Sequence, residues 1–422
     1  MFIPYKKIER TLSFFYPKHR DKIVNIFEYL RVQHNVRFIK RNEKKVLTKL
    51  RKKNTKIKVA FLCNEPAKWK CQTLYDLMQK DNHFEPFILA TRMFTGAQTN
   101  QNVITTYDFF KSKGMNVKYA YDLENNTFLH AKDFNADIIF YQQPWANETT
   151  QGPVIASQYA KTYYVPYFIS PSHGWIEHSL RFHSYIQTHY VLNDMVYKYF
   201  RKVSKNKGKN LKICGNPQLD YYYLNKDKDF EKKYVIYAPH HSINDDKTNW
   251  ATFVWSAEFM LKYAQEHPEI NWVFRPHPNL RTALHNTKTM TKEEMDKLWE
   301  EWGKIAIVSE SGDYLDLFMQ SKAMITDCGS FLTEYFLTCN PMIHLERDDS
   351  VPFNENVQKN IEAMYRVKNI EELKKTLDEI LIQNLDPKKE ERKKVLNEIG
   401  YANIYSAEAI LNDIKKDLKI NE

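Results

Sequence analysis

Several things are missing from this 422-residue chain, and each absence removes a class of protein. Glycine is scarce, at 10 residues, and the run GxGxxG is absent, which argues against a dinucleotide site of the NAD type. No GxSxG elbow occurs, so the hydrolase chemistry built on that turn is not expected. No HExxH and no carboxylate set stands at metal-ligand spacing, and no metal is expected. The five cysteines (Cys63, Cys71, Cys214, Cys328, Cys339) are odd in number and lack CxxC spacing, so they read as reduced thiols. No apolar run approaches the roughly 20 residues that cross a bilayer. Met1 to Leu30 has no apolar core of a signal peptide. A cytoplasmic protein is the expectation.

What is present is aromatic, basic and alternating. Tyr (27) and Phe (25) are plentiful, hydrophobic residues make up 43% and charged residues 27%, a globular balance. The length favours two domains. The net charge of +10 is uneven: from Arg31 to Lys58 the only acid is Glu43, with Val32, Val36, Ile39, Val46, Leu47 and Leu50 interleaved. Such a stretch suits an anionic membrane surface, a nucleic acid, or a solvated helix face. No zinc-finger spacing or RNP-like aromatic motif supports the nucleic acid, and the membrane surface, met through residues 31–58, is the expectation.

Beyond about Thr55 apolar strand-like runs alternate with helical patterns. Strands are predicted at Ile57 to Cys63, Phe84 to Ala90, Val117 to Tyr121, Ala136 to Gln142, Tyr163 to Ile169, Ile186 to Leu192 and Leu211 to Cys214. After a charged linker, Asp227 to Lys233, the pattern restarts: Tyr234 to Ala238, Trp272 to Phe274, Ile305 to Val308, Ala323 to Thr326 and Met342 to Leu345. Helices are predicted between them and, at the end, over Ile370 to about Gln383 and Pro387 to Lys416. This alternation predicts parallel, doubly wound sheets with ligands at the carboxyl ends of the strands. The expected division is a basic helical leader (1–55), a Rossmann-like acceptor domain (56–225), a Rossmann-like donor domain (226–385) facing it across a cleft, and terminal helices (386–422).

Polar clusters fall at four predicted strand ends: Ser172-His173-Gly174, His240-His241-Ser242, Arg275-Pro276-His277-Pro278 and Asp327-Cys328-Gly329-Ser330. A histidine in the first half suits a general base, because its ordinary pKa lies near working pH. Arg275 and His277 suit phosphate charge. In the last cluster Gly329 admits close backbone approach, Ser330 stands at a helix-cap position, and free N–H groups at a helix start attract anions. The Lys of a P-loop is missing there. Adjacent His240 and His241 are expected to point opposite ways, as residues of a strand do.

Lys58-Val59-Ala60-Phe61-Leu62 with Trp69 and Leu74-Tyr75, then Gly215-Asn216-Pro217-Gln218-Leu219-Asp220, Tyr237-Ala238-Pro239, His277-Pro278 and Ile325-Thr326-Asp327-x-x-Ser330-x-x-x-Glu334 resemble, in order and spacing, the CDP-glycerol glycerophosphotransferases of teichoic-acid synthesis. The resemblance spans roughly Lys56 to Arg366. It implies a GT-B fold and an enzyme, peripheral on the inner membrane face, that moves a polyol phosphate from a CDP-linked donor to a hydroxyl of a cell-surface glycan or its lipid-linked precursor. It implies His173 as general base, His277 at donor phosphate, Asp327, Gly329, Ser330 and Phe331 as a pyrophosphate cradle, and Glu334 on the ribose. Arg275, His240 and Ser242 join the donor set by position, and no cofactor is implied beyond the activated donor. The chain departs from the family where Gly329-Ser330 replaces Ser-Ser, Glu334 replaces Asp, Ser172 replaces an aromatic, and His240-His241-Ser242 replaces Thr-Trp-Arg. Two alternatives stay open: a GT-B glycosyltransferase of capsule or lipopolysaccharide synthesis using a nucleotide sugar, and a non-catalytic scaffold of a glycan assembly complex.

Overall fold

A computed structural model describes residues 8, 11–12, 17–92, 99–144, 150–172, 181–246, 248–310, 314–399 and 404–420. The chain forms two compact units: 1–167 with 176–218 and 406–422, and 168–175 with 219–405.

The first unit carries a seven-stranded sheet. In chain order its strands are β1 (Ile57–Cys63), β2 (Phe84–Ala90), β3 (Val117–Tyr119), β4 (Ile138–Tyr141), β5 (Lys161–Tyr164), β6 (Thr188–Val191) and β7 (Leu211–Ile213), and their spatial order is β3-β2-β1-β4-β5-β6-β7. Every pairing is parallel. Continuous apolar runs such as IKVAFLC and FEPFILA suit strands buried on both faces. The aromatic surplus has a place here. Phe61, Phe140, Tyr163 and Tyr190 stack across four neighbouring strands with centroids 4.7, 5.2 and 5.6 Å apart, each pair worth about 0.5–1.5 kcal/mol beyond its buried area. The predicted strand to Ile169 stops at Tyr164, because Pro166 has no N–H to give a ladder.

Of the leader's described residues, Arg20–Leu50 form a single long helix, and it packs into this unit. Val32, Ile39 and Val46 recur every seventh residue and are buried, with Leu50 one turn on. Glu43 pairs with Lys161, which is only 1% exposed, and Glu28 pairs with Lys205. Four of the six apolar residues expected to meet a membrane therefore face the protein, and Val36 and Leu47 are partly buried. Ile26, Tyr29, Leu30 and Phe38 are exposed instead, on the side that also carries Arg37, Lys40, Arg41, Lys44 and Lys45. The long helix predicted over Pro387 to Lys416 is two helices, Lys389–Ile399 and Ser406–Leu418, which belong to different units. The second is far from bare of apolar surface: Ile410, Leu411, Ile414 and Leu418 are buried, and Asp413 binds Tyr190 (2.8 Å) and Lys212 (2.7 Å).

The second unit repeats the plan in six parallel strands, β8 (Tyr234–Ala238), β9 (Asn271–Phe274), β10 (Ala306–Val308), β11 (Ser321–Thr326), β12 (Met342–Leu345) and β13 (Tyr365–Val367), ordered β10-β9-β8-β11-β12-β13. The order reverses between β8 and β11, the switch point where such sheets bind ligands. There Ala238 pairs with Thr326. The Thr326 hydroxyl donates to the carbonyl of Ala238 (2.6 Å) and accepts the N–H of Cys328 (2.9 Å), so the loops that leave the two strands start side by side. No helix among the described residues is long and apolar enough to cross a membrane.

Candidate active site at the strand ends of the second unit

Three of the four predicted clusters meet at this edge. The chain beyond β8 turns at Pro239 and carries His240, His241 and Ser242; beyond β9 it carries Arg275 and His277; beyond β11, Asp327 to Ser330. The ring centroids of His240 and His241 lie 4.3 Å apart, His240 and His277 5.1 Å, and His241 and His277 4.0 Å with planes 27° apart. The two adjacent histidines thus converge rather than diverge. Both lie past the last ladder residue, Ala238, so the alternation of strand side chains no longer governs them. Burial, reinforced by the neighbouring rings, holds His240 well below the ordinary histidine pKa. Burial and His241 bring His277 down to about 3, and burial lowers His241. The cluster is uncharged near neutral pH.

Asp327 is fully buried and turned inward. One carboxylate oxygen accepts the N–H of His240 (2.6 Å), and the other accepts the N–H (2.5 Å) and hydroxyl (2.7 Å) of Thr252. Burial pushes its pKa up to about 6 in spite of these bonds. It fixes the His240 loop and does not present a charge at the surface. The turn after it also differs from the expected anion cradle. The helix is Phe331–Glu334 followed by a 3-10 turn, Tyr335–Thr338, closed by Cys339 in a left-handed conformation (φ 57°). Ser330 makes no cap hydrogen bond; its hydroxyl lies 3.6 Å from the Cys328 sulfur. The N–H groups of Phe331 and Leu332 bond the carbonyl of Cys328, and those of Thr333 and Glu334 the carbonyl of Ser330. Four residues sum to a small dipole, which removes most of the helix's pull on an anion.

Gly329 has a packing reason. A Cβ there would lie 2.8 Å from Pro171 Cγ and 2.8 Å from Trp250 Cζ3. Trp250, which the sequence reading missed, stacks on Phe353 (4.9 Å) and donates its indole N–H to the carbonyl of Val351 (2.8 Å). Both rings wall a cavity at the ends of β12 and β13 that Arg347, Gln358, Arg366 and Lys368 also line. Nothing in spacing marks Trp250 or Phe353; they are 103 positions apart and only the fold joins them.

Arg275 is buried: its guanidinium donates to the Ser309 hydroxyl (2.5 Å) and lies over the Tyr314 ring (5.0 Å). Tyr314 donates its hydroxyl to Glu334 (2.5 Å), which is itself buried. Arg275, Tyr314 and Glu334 therefore form one chain of contacts. Of the fourth cluster, Ser172 is buried in this unit, and Asn354 holds the carbonyls of Ser170 (2.6 Å) and Pro171 (2.8 Å). His173 and Gly174 lie outside the described residues.

Two sheets wound in the same order, with polar side chains gathered at the switch point of the second, define an α/β protein of the GT-B-like kind. The model of the CDP-glycerol:poly(glycerophosphate) glycerophosphotransferase family matches residues 172–414, more than half of the chain, and the chain belongs to that family. It is an enzyme of the glycerophosphotransferase class. Among solved structures, a variant of the wall teichoic acid polymerase TagF is similar at 14% identity, with 94% of this chain and 98% of that one covered and a TM-score of 0.54. The S. aureus MnaA bound to UDP gives 13%, 86%, 98% and 0.53, and the UDP-GlcNAc 2-epimerase of Neisseria meningitidis 13%, 86%, 100% and 0.54. At these identities the likeness is one of fold. No curated protein matches the chain.

Proposed function

We propose that this protein transfers a polyol phosphate, glycerol phosphate first among them, from a CDP-linked donor to a hydroxyl of a cell-surface glycan or its lipid-linked precursor. The observation that carries this reading is the family match over residues 172–414 together with the polar clusters at the switch point of the same unit. The nucleoside packs against Trp250 and Phe353, with Glu334 at the ribose. The diphosphate lies beside Gly329, Ser330 and Phe331, held there by the side chains of Arg275, His277, His240 and Ser242 and not by the N–H groups of the turn, while Asp327 positions the His240 loop. His173, assigned from the family's His-Gly motif, takes the proton of the acceptor hydroxyl. The acceptor oxygen forms a bond to the β-phosphorus, the bond from that phosphorus to the bridging oxygen breaks, and CMP leaves. Positioning, the positive charge of Arg275 and hydrogen bonds from the uncharged histidines lower the barrier.

The exposed Ile26, Tyr29, Leu30 and Phe38 beside the basic residues of the leader helix support a peripheral seat on an anionic membrane surface, where such an acceptor is found. The replacement of Thr-Trp-Arg by His240-His241-Ser242 favours one second reading, a nucleotide-sugar glycosyltransferase on the same fold. The test is a transfer assay with CDP-glycerol and a membrane or polyol-phosphate primer, read as CMP release and product mass. A mass step of one glycerol phosphate supports the first reading, and a hexose step from a UDP or GDP donor the second. The His173→Ala variant is expected to lose turnover and keep CDP binding; full activity of that variant would falsify the assignment of the base.

A further inference from the structure

We propose that His240, His241 and His277 together form a binding site for a divalent transition-metal ion, zinc in the first instance. The three rings reach one point from two loops of the same unit, and one ligand nitrogen of each lies within 4.8 Å of the others. A tetrahedral zinc with nitrogens at about 2.0–2.1 Å spaces them roughly 3.3 Å apart, so side-chain rotations of the order of 1 Å close the site. Three imidazoles without a carboxylate select zinc and its neighbours over magnesium or calcium.

A second observation points to a ligand. The Nδ1 atom of His241 is buried and has no hydrogen-bond partner among the described residues. Such an atom costs stability unless something binds it. The surroundings also support ligation. His240 Nδ1 lies 2.8 Å from the Ser242 hydroxyl, which in turn accepts the N–H of Trp250 (2.9 Å). Ligation through the other nitrogen leaves Nδ1–H to donate to that oxygen, at the cost of the longer bond that Nδ1 accepts from the Ser242 N–H (3.3 Å), and such an outer contact orients a metal-binding histidine. His277 has more to give up: its Nδ1 accepts the N–H of Asn279 (3.1 Å), and entry of the metal exchanges that bond. Three protein ligands leave one position for water or an anionic oxygen. That this oxygen belongs to the donor's diphosphate rests on the transferase reading above; the binding of metal does not.

The test uses untagged full-length protein, stripped with chelator, with no donor present. Zinc is titrated by calorimetry, and cobalt by its visible absorption. One metal per chain, a tetrahedral cobalt spectrum, and affinity lowered at least about tenfold in His241→Gln and in His277→Gln are expected, with His130→Gln unchanged. His241 is half-buried, so its variant folds even where His240→Ala does not. Absence of stoichiometric binding, or binding that survives both variants, overturns the proposal. CDP-induced thermal stabilisation, measured on the metal-free and on the zinc-loaded protein, separates the two readings. A CDP shift without metal binding removes the metal alone. Metal binding without a CDP shift in either the metal-free or the zinc-loaded sample keeps the metal and removes the transferase.

Discussion

Asp327→Ala is the substitution that most directly questions the architecture of this site. The side chain is fully buried and accepts three hydrogen bonds, from His240 N–H, Thr252 N–H and the Thr252 hydroxyl, at 2.5–2.7 Å. Truncation leaves two backbone donors and one hydroxyl in a space closed to water. Each orphaned buried group costs about 1–3 kcal/mol, and the hydroxyl can turn to another acceptor, so the two backbone groups set a loss of about 2–6 kcal/mol. Against a total stability of about 5–15 kcal/mol that is a large share. For a unit of this size it lowers the melting temperature by about 2–4 °C per kcal/mol, hence by roughly 4–24 °C. Asp327→Asn keeps one acceptor but turns an NH2 group against a donor, and is expected to recover only part of the loss. Urea unfolding followed by tyrosine and tryptophan fluorescence reads both variants. An Ala variant within about 0.5 kcal/mol of the parent refutes the reasoning, because it means that the carboxylate does not hold the two loops together.

Gly329→Ala brings a methyl group within 2.8 Å of Pro171 and Trp250; overpacking of this kind costs about 1–3 kcal/mol in the same unfolding assay, and an unchanged midpoint would show that the two rings move aside freely. Tyr314→Phe removes the hydroxyl that Glu334 accepts, so donor KM is expected to rise by about two- to tenfold, in line with a loss of about 0.5–1.5 kcal/mol for one hydrogen bond, while kcat changes less; a kcat loss at constant KM contradicts the donor-side placement. Replacement of Lys40, Arg41, Lys44 and Lys45 by Glu on the exposed side of the leader helix is expected to abolish sedimentation with phosphatidylserine vesicles, since each basic residue near such a surface contributes about 1 kcal/mol. Undiminished vesicle binding by that variant places the membrane contact elsewhere.

Much of the framework was readable from composition and periodicity. The runs Ile57–Cys63, Phe84–Ala90, Tyr234–Ala238 and Met342–Leu345 are strands with the predicted ends, because an unbroken apolar run bounded by turn residues has few other ways to bury itself. The family motifs likewise point at three loops that do meet at one edge. The reading failed where the answer depended on neighbours distant in sequence. Val32, Ile39 and Val46 look the same on a helix that lies on a lipid surface and on one that packs against protein; the partners Lys161 and Lys205 decide between them. Phe331 to Cys339 has helical spacing, yet its α-helix lasts four residues.

Local pattern alone was enough to show an α/β protein with two rounds of strand and helix, and to place polar clusters at the ends of its strands. Those facts follow from local pattern, which each segment satisfies on its own. Where the polar side chains point depends on neighbours that only the folded chain supplies. Folding turned Asp327 inward and brought His240, His241 and His277 into contact. It also set Trp250 against Gly329 and Phe353. Direction and burial are properties of side chains that meet across strand order, and the switch in that order between β8 and β11 is what no local pattern contains.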